Sequence, residues 1–434
     1  MTTTPTLPGR RSLPCAIPDT PLAAALPGIE TCVHCGFCLQ ACPTYVTLED
    51  ENDSPRGRIV LMRALVEGEL GTDDPSVHTH IDRCLGCRAC ETACPSGVPY
   101  GQLLEATRAT LREVRPTPLI GRIVLAVFAH VRALRVAMLA SRALRATRIP
   151  SLFTAVAGRL GFASAMLAST RVSLPERDYD PAGDASRARV ALLDGCVMDG
   201  LFARTNRATR RTLQANGYRM TDATGQVCCG ALHAHAGDLE SARALARTNI
   251  AAFETSRAEL IGVNAAGCGA MMKEYGHLLA DDPEWAARAR DVSERVRDVS
   301  ELLAAAGPKP GAPLPLRVTY DAPCHLLHAQ RVVAPPLAVL RAIPELTLLP
   351  LTDAEQCCGA AGIYNLIEPE TSDAVLAPKL RHIVATGADW VVTGNPGCLM
   401  QIGAGLRRAH ARARVIHPVD LLDASYAKLG NRPG

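Results

Sequence analysis

Cys32-Val33-His34-Cys35-Gly36-Phe37-Cys38-Leu39-Gln40-Ala41-Cys42-Pro43 sets four thiols at the spacing C-x2-C-x2-C-x3-C-P, and Cys84-Leu85-Gly86-Cys87-Arg88-Ala89-Cys90-Glu91-Thr92-Ala93-Cys94-Pro95 repeats that spacing. Three thiolates two residues apart can wrap one loop around three irons of a cube. The fourth is aimed away, because the following proline fixes its own φ and cannot extend a helix. Such a run holds cubane [4Fe–4S] clusters, and two copies predict two clusters close together. A pair of cubes in contact is a path for single electrons, so the chain reads first as an electron carrier.

In two-cluster ferredoxins the fourth cysteine of each run ligates the other cluster. That resemblance implies Cys32, Cys35, Cys38 and Cys94 on one cube, and Cys84, Cys87, Cys90 and Cys42 on the second. Zinc sites usually take pairs of C-x2-C with longer gaps. Disulfides need an oxidising compartment, and the opening MTTTPTLPGRRSLPC lacks the apolar core of a signal peptide. No uncharged apolar run reaches the ~18 residues of a membrane span. The chain is therefore expected in the cytoplasm or peripherally on the cytoplasmic face of the inner membrane. Its 434 residues, 48% hydrophobic and 21% charged with net charge +3, suit two or three ordinary cores and give no basis for a nucleic-acid partner.

Outward from the cysteine runs, residues 1–25 read as a flexible leader, with Cys15 an incidental thiol, and 26–110 as a ferredoxin-like unit of the α-helical type. Between the runs, Asp53 or Ser54 can cap a helix with Pro55 in its first turn. Residues 111–185 read as a basic helical linker. Within it, 114–175 hold nine arginines and no Asp or Glu, interrupting apolar stretches such as Ile123-Val124-Leu125-Ala126-Val127-Phe128. These arginines are either the wet face of helices packed beneath the later domains, or a surface for an anionic membrane or acidic partner.

The remainder is an internal repeat. Cys196, Cys228-Cys229-Gly230 and Cys268 recur as Cys324, Cys357-Cys358-Gly359 and Cys398, offset by 128, 129 and 130 residues. Short β-rich runs at 189–193, 261–264, 317–320 and 390–393 lead into four of these cysteines. Helical runs beginning Asp298-Val299 and His417-Pro418 close the halves, giving repeats at 186–310 and 311–434. Alternating strands and helices predict α/β halves around mainly parallel sheets, with functional groups beyond the carboxyl ends of the strands. The whole is expected to be α+β: a two-cluster helical domain, a linker, and a duplicated α/β cysteine-rich domain.

Each half offers four soft ligands that could take a further iron–sulfur cluster or a zinc; alternatively both sets face one interface and serve docking or thiol redox chemistry. His233, His325 and His417 lie near them and read as structural hydrogen bonders. Arg83 and Arg88 flank the second run and should raise the potential of its cube, with Glu91 partly opposing; the first run carries His34 and Gln40 instead.

The full order of motifs resembles the iron–sulfur subunit of bacterial glycolate oxidase (glycolate dehydrogenase) over nearly the whole chain. The most specific stretches are Asn264-Ala265-Ala266-Gly267-Cys268-Gly269-Ala270-Met271-Met272-Lys273-Glu274-Tyr275-Gly276, Thr393-Gly394-Asn395-Pro396-Gly397-Cys398-Leu399-Met400-Gln401-Ile402 and the closing His417-Pro418-Val419-Asp420-Leu421-Leu422-Asp423. The resemblance implies a subunit with no substrate site of its own. FAD-containing partner subunits would oxidise glycolate to glyoxylate, and this chain would pass the electrons to a membrane quinone. The absence of a GxGxxG after a predicted strand agrees with this. The small subunit of anaerobic glycerol-3-phosphate dehydrogenase and lactate-type complexes share the architecture, so they stand as alternatives. So does a thiol/disulfide subunit like heterodisulfide reductase, although the fifth thiol of that repeat is missing from Cys268-Gly269-Ala270-Met271 and Cys398-Leu399-Met400-Gln401.

Overall fold

Prolines open the helices that frame the two cysteine loops. The computed structural model describes residues 15–156, 158–171, 174, 179, 181 and 185–430. Cys42 is the extended N-cap of helix Pro43–Leu48, with Pro43 in its first turn. Ser54 caps helix Pro55–Glu67 by accepting from Gly57 N–H at 2.9 Å, and Pro55 preorganises that first turn. Helices Pro21–Ala24, Pro75–Asp82 and Tyr100–Val114 close the unit around Leu22, Met62, Leu65, Ile81 and Leu103. Cys15 packs on the same core, and Ala16 N–H donates to Val66 O at 2.8 Å. The leader read over 1–25 is therefore part of this packed unit from Cys15 onward, because Leu22 finds a full apolar pocket there. Residues 1–14 lie outside the described residues.

The basic segment forms helices Leu119–Ala129, Val131–Ala146, Ile149–Leu152 and Gly158–Ser169. The first two meet at 106°; among the described residues no single helix is long and apolar enough to cross a bilayer. Some of its arginines are anchors rather than a wet face. Arg142 donates to the carbonyls of Asp199 and Gly200, and Arg145 to Leu201 O at 2.8 Å. They satisfy the carbonyls at the end of helix Val197–Leu201, which have no partners within the helix. Apolar side chains face outward instead, and Val131–Ala146 buries none of its residues.

Each half carries a four-stranded parallel sheet. In the first, β1 (Arg189–Leu192), β2 (Arg219–Thr221), β3 (Leu260–Val263) and β4 (Val296–Asp298) lie in the order β2-β1-β3-β4. In the second, β5 (Arg317–Tyr320), β6 (Thr347–Leu349), β7 (Trp390–Val392) and β8 (Arg414–Ile416) repeat it as β6-β5-β7-β8. The α+β architecture anticipated from the repeat is present. In both sheets the order reverses between the two central strands, so the crevice of the topological switch lies beyond the carboxyl ends of β1 and β3, and of β5 and β7. The halves are fused, not merely tethered: Val190, Leu213, Leu302, Val318, Leu340, Trp390 and Ile416 form one continuous core.

Candidate metal centres

The eight cysteines of the opening runs are free thiols in two groups. Cys32, Cys35, Cys38 and Cys94 line one pocket, with Cys90 reaching it from the neighbouring loop. Cys42 turns instead toward Cys84, Cys87 and Cys90, and burial together with these neighbouring sulfurs pushes the thiols of Cys87 and Cys90 well up. Both loops adopt left-handed backbone at the same two offsets, His34 (55°) and Gly36 (84°), then Gly86 (61°) and Arg88 (65°). That curl turns successive N–H groups inward and makes a nest for an anionic centre. Gly86 N–H donates to Cys84 Sγ at 3.4 Å. An all-thiol donor set over an N–H nest fits an anionic cube. Depth separates the groups: Cys35 is exposed, whereas Cys42, Cys84, Cys87 and Cys90 are buried.

Electrostatics around the second loop differ from the sequence reading. Arg88 is ion-paired with Glu91 at 2.9 Å and with Glu274, and Arg83 with Asp53 at 2.9 Å. Their charges are compensated by carboxylates. A cation that does reach a thiol is Arg58, fully buried, with Nη1 4.0 Å from Cys42 Sγ and Nη2 3.2 Å from Asp53. Only its spacing in helix Pro55–Glu67, one turn after the cap, could have flagged it. Asp50, Asp53 and His80 bring ligand atoms within 4.8 Å, but two guanidiniums already occupy Asp53.

The repeat cysteines converge. Cys196, Cys228, Cys229 and Cys268 touch in sequence order, as do Cys324, Cys357, Cys358 and Cys398. Cys196 and Cys268 follow β1 and β3, and Cys324 and Cys398 follow β5 and β7, so all four sit at the switch points. Hydrogen bonds from Cys196 and Cys229 hold the Cys228 thiol well below its usual range. All eight line one cavity of about 440 Å³, and Cys84 of the second opening loop lines it too.

The stretches Asn264–Gly276 and Thr393–Ile402 meet across the cavity: Ala266 N–H donates to Gly394 O at 3.1 Å and Gly267 N–H to Asn395 Oδ1 at 3.2 Å. The three histidines are structural hydrogen bonders. His233 Nε2 lies 3.1 Å from Leu125 O, His325 Nε2 2.9 Å from Gly86 O, and His417 Nε2 2.9 Å from Asn264 O. Burial pushes His325 and His417 down to about 4. Sequence reading missed a pair that the fold assembles, His235 on the cavity wall with Nδ1 2.9 Å from Oε1 of Glu105 behind it. These residues are 130 positions apart, so no local pattern announces them.

Paired thiol nests on a helical unit, seated over a duplicated parallel-sheet module, define an iron–sulfur electron-transfer protein. The 4Fe-4S dicluster domain family matches residues 28–98, and the Cysteine-rich domain family matches 190–273 and 318–403. The probable glycolate oxidase iron–sulfur subunit of Bacillus subtilis (strain 168) is 37% identical over 414 residues, covering 90% of this chain and 92% of that one. The glycolate oxidase iron–sulfur subunit of Escherichia coli (strain K12) is 34% identical over 407 residues, 92% of this chain and 95% of that one. The chain belongs to this family of iron–sulfur subunits. Lactate utilization protein A of an Exiguobacterium species is 31% identical over 241 residues, 54% of this chain and 96% of that protein.

Proposed function

We propose that the chain relays electrons within a glycolate-oxidising complex. FAD-bearing partner subunits take a hydride from glycolate and leave glyoxylate, and this chain carries the electrons to a membrane quinone at the cytoplasmic face. Cys32, Cys35, Cys38 and Cys94 are the proposed ligands of one cube, and Cys84, Cys87, Cys90 and Cys42 of the other. Cubanes bound there accept and release electrons one at a time. The two thiol strings of the cysteine-rich halves are proposed ligands of further iron–sulfur centres. The units of this reading are 26–110, 111–185, 186–310 and 311–434.

The carrying observation is the difference in depth between the two thiol groups. Val33 and Phe37, 67% and 69% exposed, flank the shallow group and offer an apolar landing for the electron donor. The deep group abuts the cysteine-rich halves, with Leu85 and Cys87 packed against Cys357. Leu85, Ala89, Tyr364 and Val375 keep water from that junction. A lactate-oxidising partner is the second reading, favoured by the near full-length coverage of lactate utilization protein A.

The test is low-temperature EPR with iron and sulfide analysis on the reconstituted full chain. Cys94→Ser is expected to remove the same signal as Cys32→Ser, and Cys42→Ser the same signal as Cys84→Ser. Pairing within a run instead would overturn the ligand assignment, and an iron-free, colourless chain would overturn the relay. Mixing with the partner flavoproteins then separates substrates: reduction by glycolate supports the first reading, reduction by lactate alone the second.

A further inference from the structure

We propose that the cavity shared by the two cysteine-rich halves and the second opening loop binds a quinone-class acceptor, and that the Glu105–His235 pair hydrogen-bonds and protonates its carbonyl oxygen. This rests on the relay reading above and gives it a terminus. Beyond the eight thiols and the centres they would hold, the cavity wall is apolar with a few placed polar groups, as in small-molecule sites. Leu85, Leu111, Val124, Phe128, Leu232 and Ile363 supply apolar wall. Cys84 and the eight repeat thiols share that wall, so electrons arriving through the chain reach this space.

His235 ends helix Ala231–His235, immediately after Cys228-Cys229-Gly230. Its Nδ1 is held by Glu105, while its Nε2 is buried with no hydrogen-bond partner among the described residues. A carboxylate behind an imidazole fixes the ring and its tautomer and leaves the second nitrogen for a reacting group. Burial opposes ionisation of Glu105, but the His235 hydrogen bond together with the charges of His235, Arg88 and His277 holds the carboxyl below its ordinary value. Charged or titratable groups around the pair include Arg108, whose guanidinium donates to His235 O at 2.8 Å, His325, whose ring lies 5.2 Å away, Arg88 and His277, which act on Glu105, and Glu274, whose charge opposes that of Glu105.

The route in identifies the acceptor as lipid-soluble. Arg112, Arg115, Pro116 and Pro118 line the cavity where the chain enters helix Leu119–Ala129. Val124 and Phe128 of that helix face the cavity, whereas Leu119 and Ile123 are 70% and 56% exposed. Val136, Leu139, Leu152 and Leu160 extend the exposed apolar surface, each at least 60% exposed. Seven of the segment's nine arginines stay exposed and it holds no acids, which fits an anionic lipid surface. Quinone reduction converts two C=O groups to C–OH with two electrons and two protons. Iron–sulfur centres held by this chain's thiols would supply the electrons singly. The protons pass one at a time from His235 Nε2, which is recharged from water.

The test uses the full chain with its clusters reconstituted, in detergent, and a short-tailed ubiquinone. By calorimetry, Val124→Trp, which fills the cavity, and His235→Gln should each bind at least tenfold more weakly, while Ile123→Ser, on the outer face, should bind like the parent. In stopped flow, quinone should reoxidise the chemically reduced chain, at least tenfold more slowly in His235→Gln even at saturation, with EPR signals and iron content unchanged. Parent-like binding by both cavity variants overturns the site. No binding by the parent chain also overturns it, while leaving electron relay intact. Binding without reoxidation overturns the acceptor role together with the quinone step of the relay. Loss of a cluster signal in His235→Gln would assign that residue to cluster support and overturn its proton role, with Val124→Trp still testing the site.

Discussion

Of the cations around the second cysteine loop, three have carboxylate partners that decide which of them the sulfurs feel, and a fourth, Arg108, is held by the carbonyls of Ile81, Asp82 and Cys84. Arg88 is shared between Glu91 and Glu274, and Arg83 is held by Asp53. Arg58 shares Asp53 but lies against Cys42, with Nε on His80 O at 2.6 Å and Nη1 on Thr44 Oγ1 at 3.1 Å. Positive charge near a cluster raises its potential. Arg58→Gln is therefore expected to lower the potential of the deep centre, whereas Arg88→Ala leaves both potentials near the parent values; redox titration followed by EPR checks this. Arg58→Ala also leaves Asp53 buried with fewer partners. Breaking a buried pair costs about 3–5 kcal/mol, to be read as a fall in unfolding midpoint, and Arg58→Lys should recover part of it.

Helix ends place the groups that matter around the cavity. Gly237 follows helix Ala231–His235 at φ 76°, and a Cβ there would stand 2.5 Å from the Arg108 backbone carbon. Close approach of this turn to helix Tyr100–Val114 is what seats His235 on Glu105. Gly237→Ala is expected to destabilise by more than about 1 kcal/mol and to slow reoxidation by quinone, checked by thermal melting and stopped flow. The outer face of Leu119–Ala129 makes the other element-level prediction. Leu119→Glu with Ile123→Glu removes two apolar side chains, each contributing about 1.5–3 kcal/mol when fully buried, and adds repulsion from an anionic surface. Cosedimentation with anionic vesicles should fall at least tenfold, with cluster content unchanged.

The two halves behave as one body because their equivalent loops bond to each other and their helices share one core. His417 is a joint in that body, reaching Asn264 O from the second half into the first. Burial lowers its folded value from 6.5 to about 4. The unfolded chain therefore takes up this proton first as pH falls, and stability present above about 6.5 is lost progressively toward 4 at about 1.4 kcal/mol per pH unit. Urea midpoints should drop between pH 7.5 and 5.5 in the parent, and drop less in His417→Gln. At this scale the sequence alone was enough for what repeats locally. Two C-x2-C-x2-C-x3-C-P words, strand runs ending at cysteines, and an offset near 129 residues determined a two-cluster unit followed by a duplicated parallel-sheet module, because ligand spacing and hydrophobic period are short-range. Tertiary structure decided the rest. It chose Arg58 over Arg88, brought Glu105 to His235, and merged eight repeat cysteines into one cavity. Those outcomes depend on which surfaces pack and which charges find partners between residues far apart along the chain, and no spacing within a single segment encodes that.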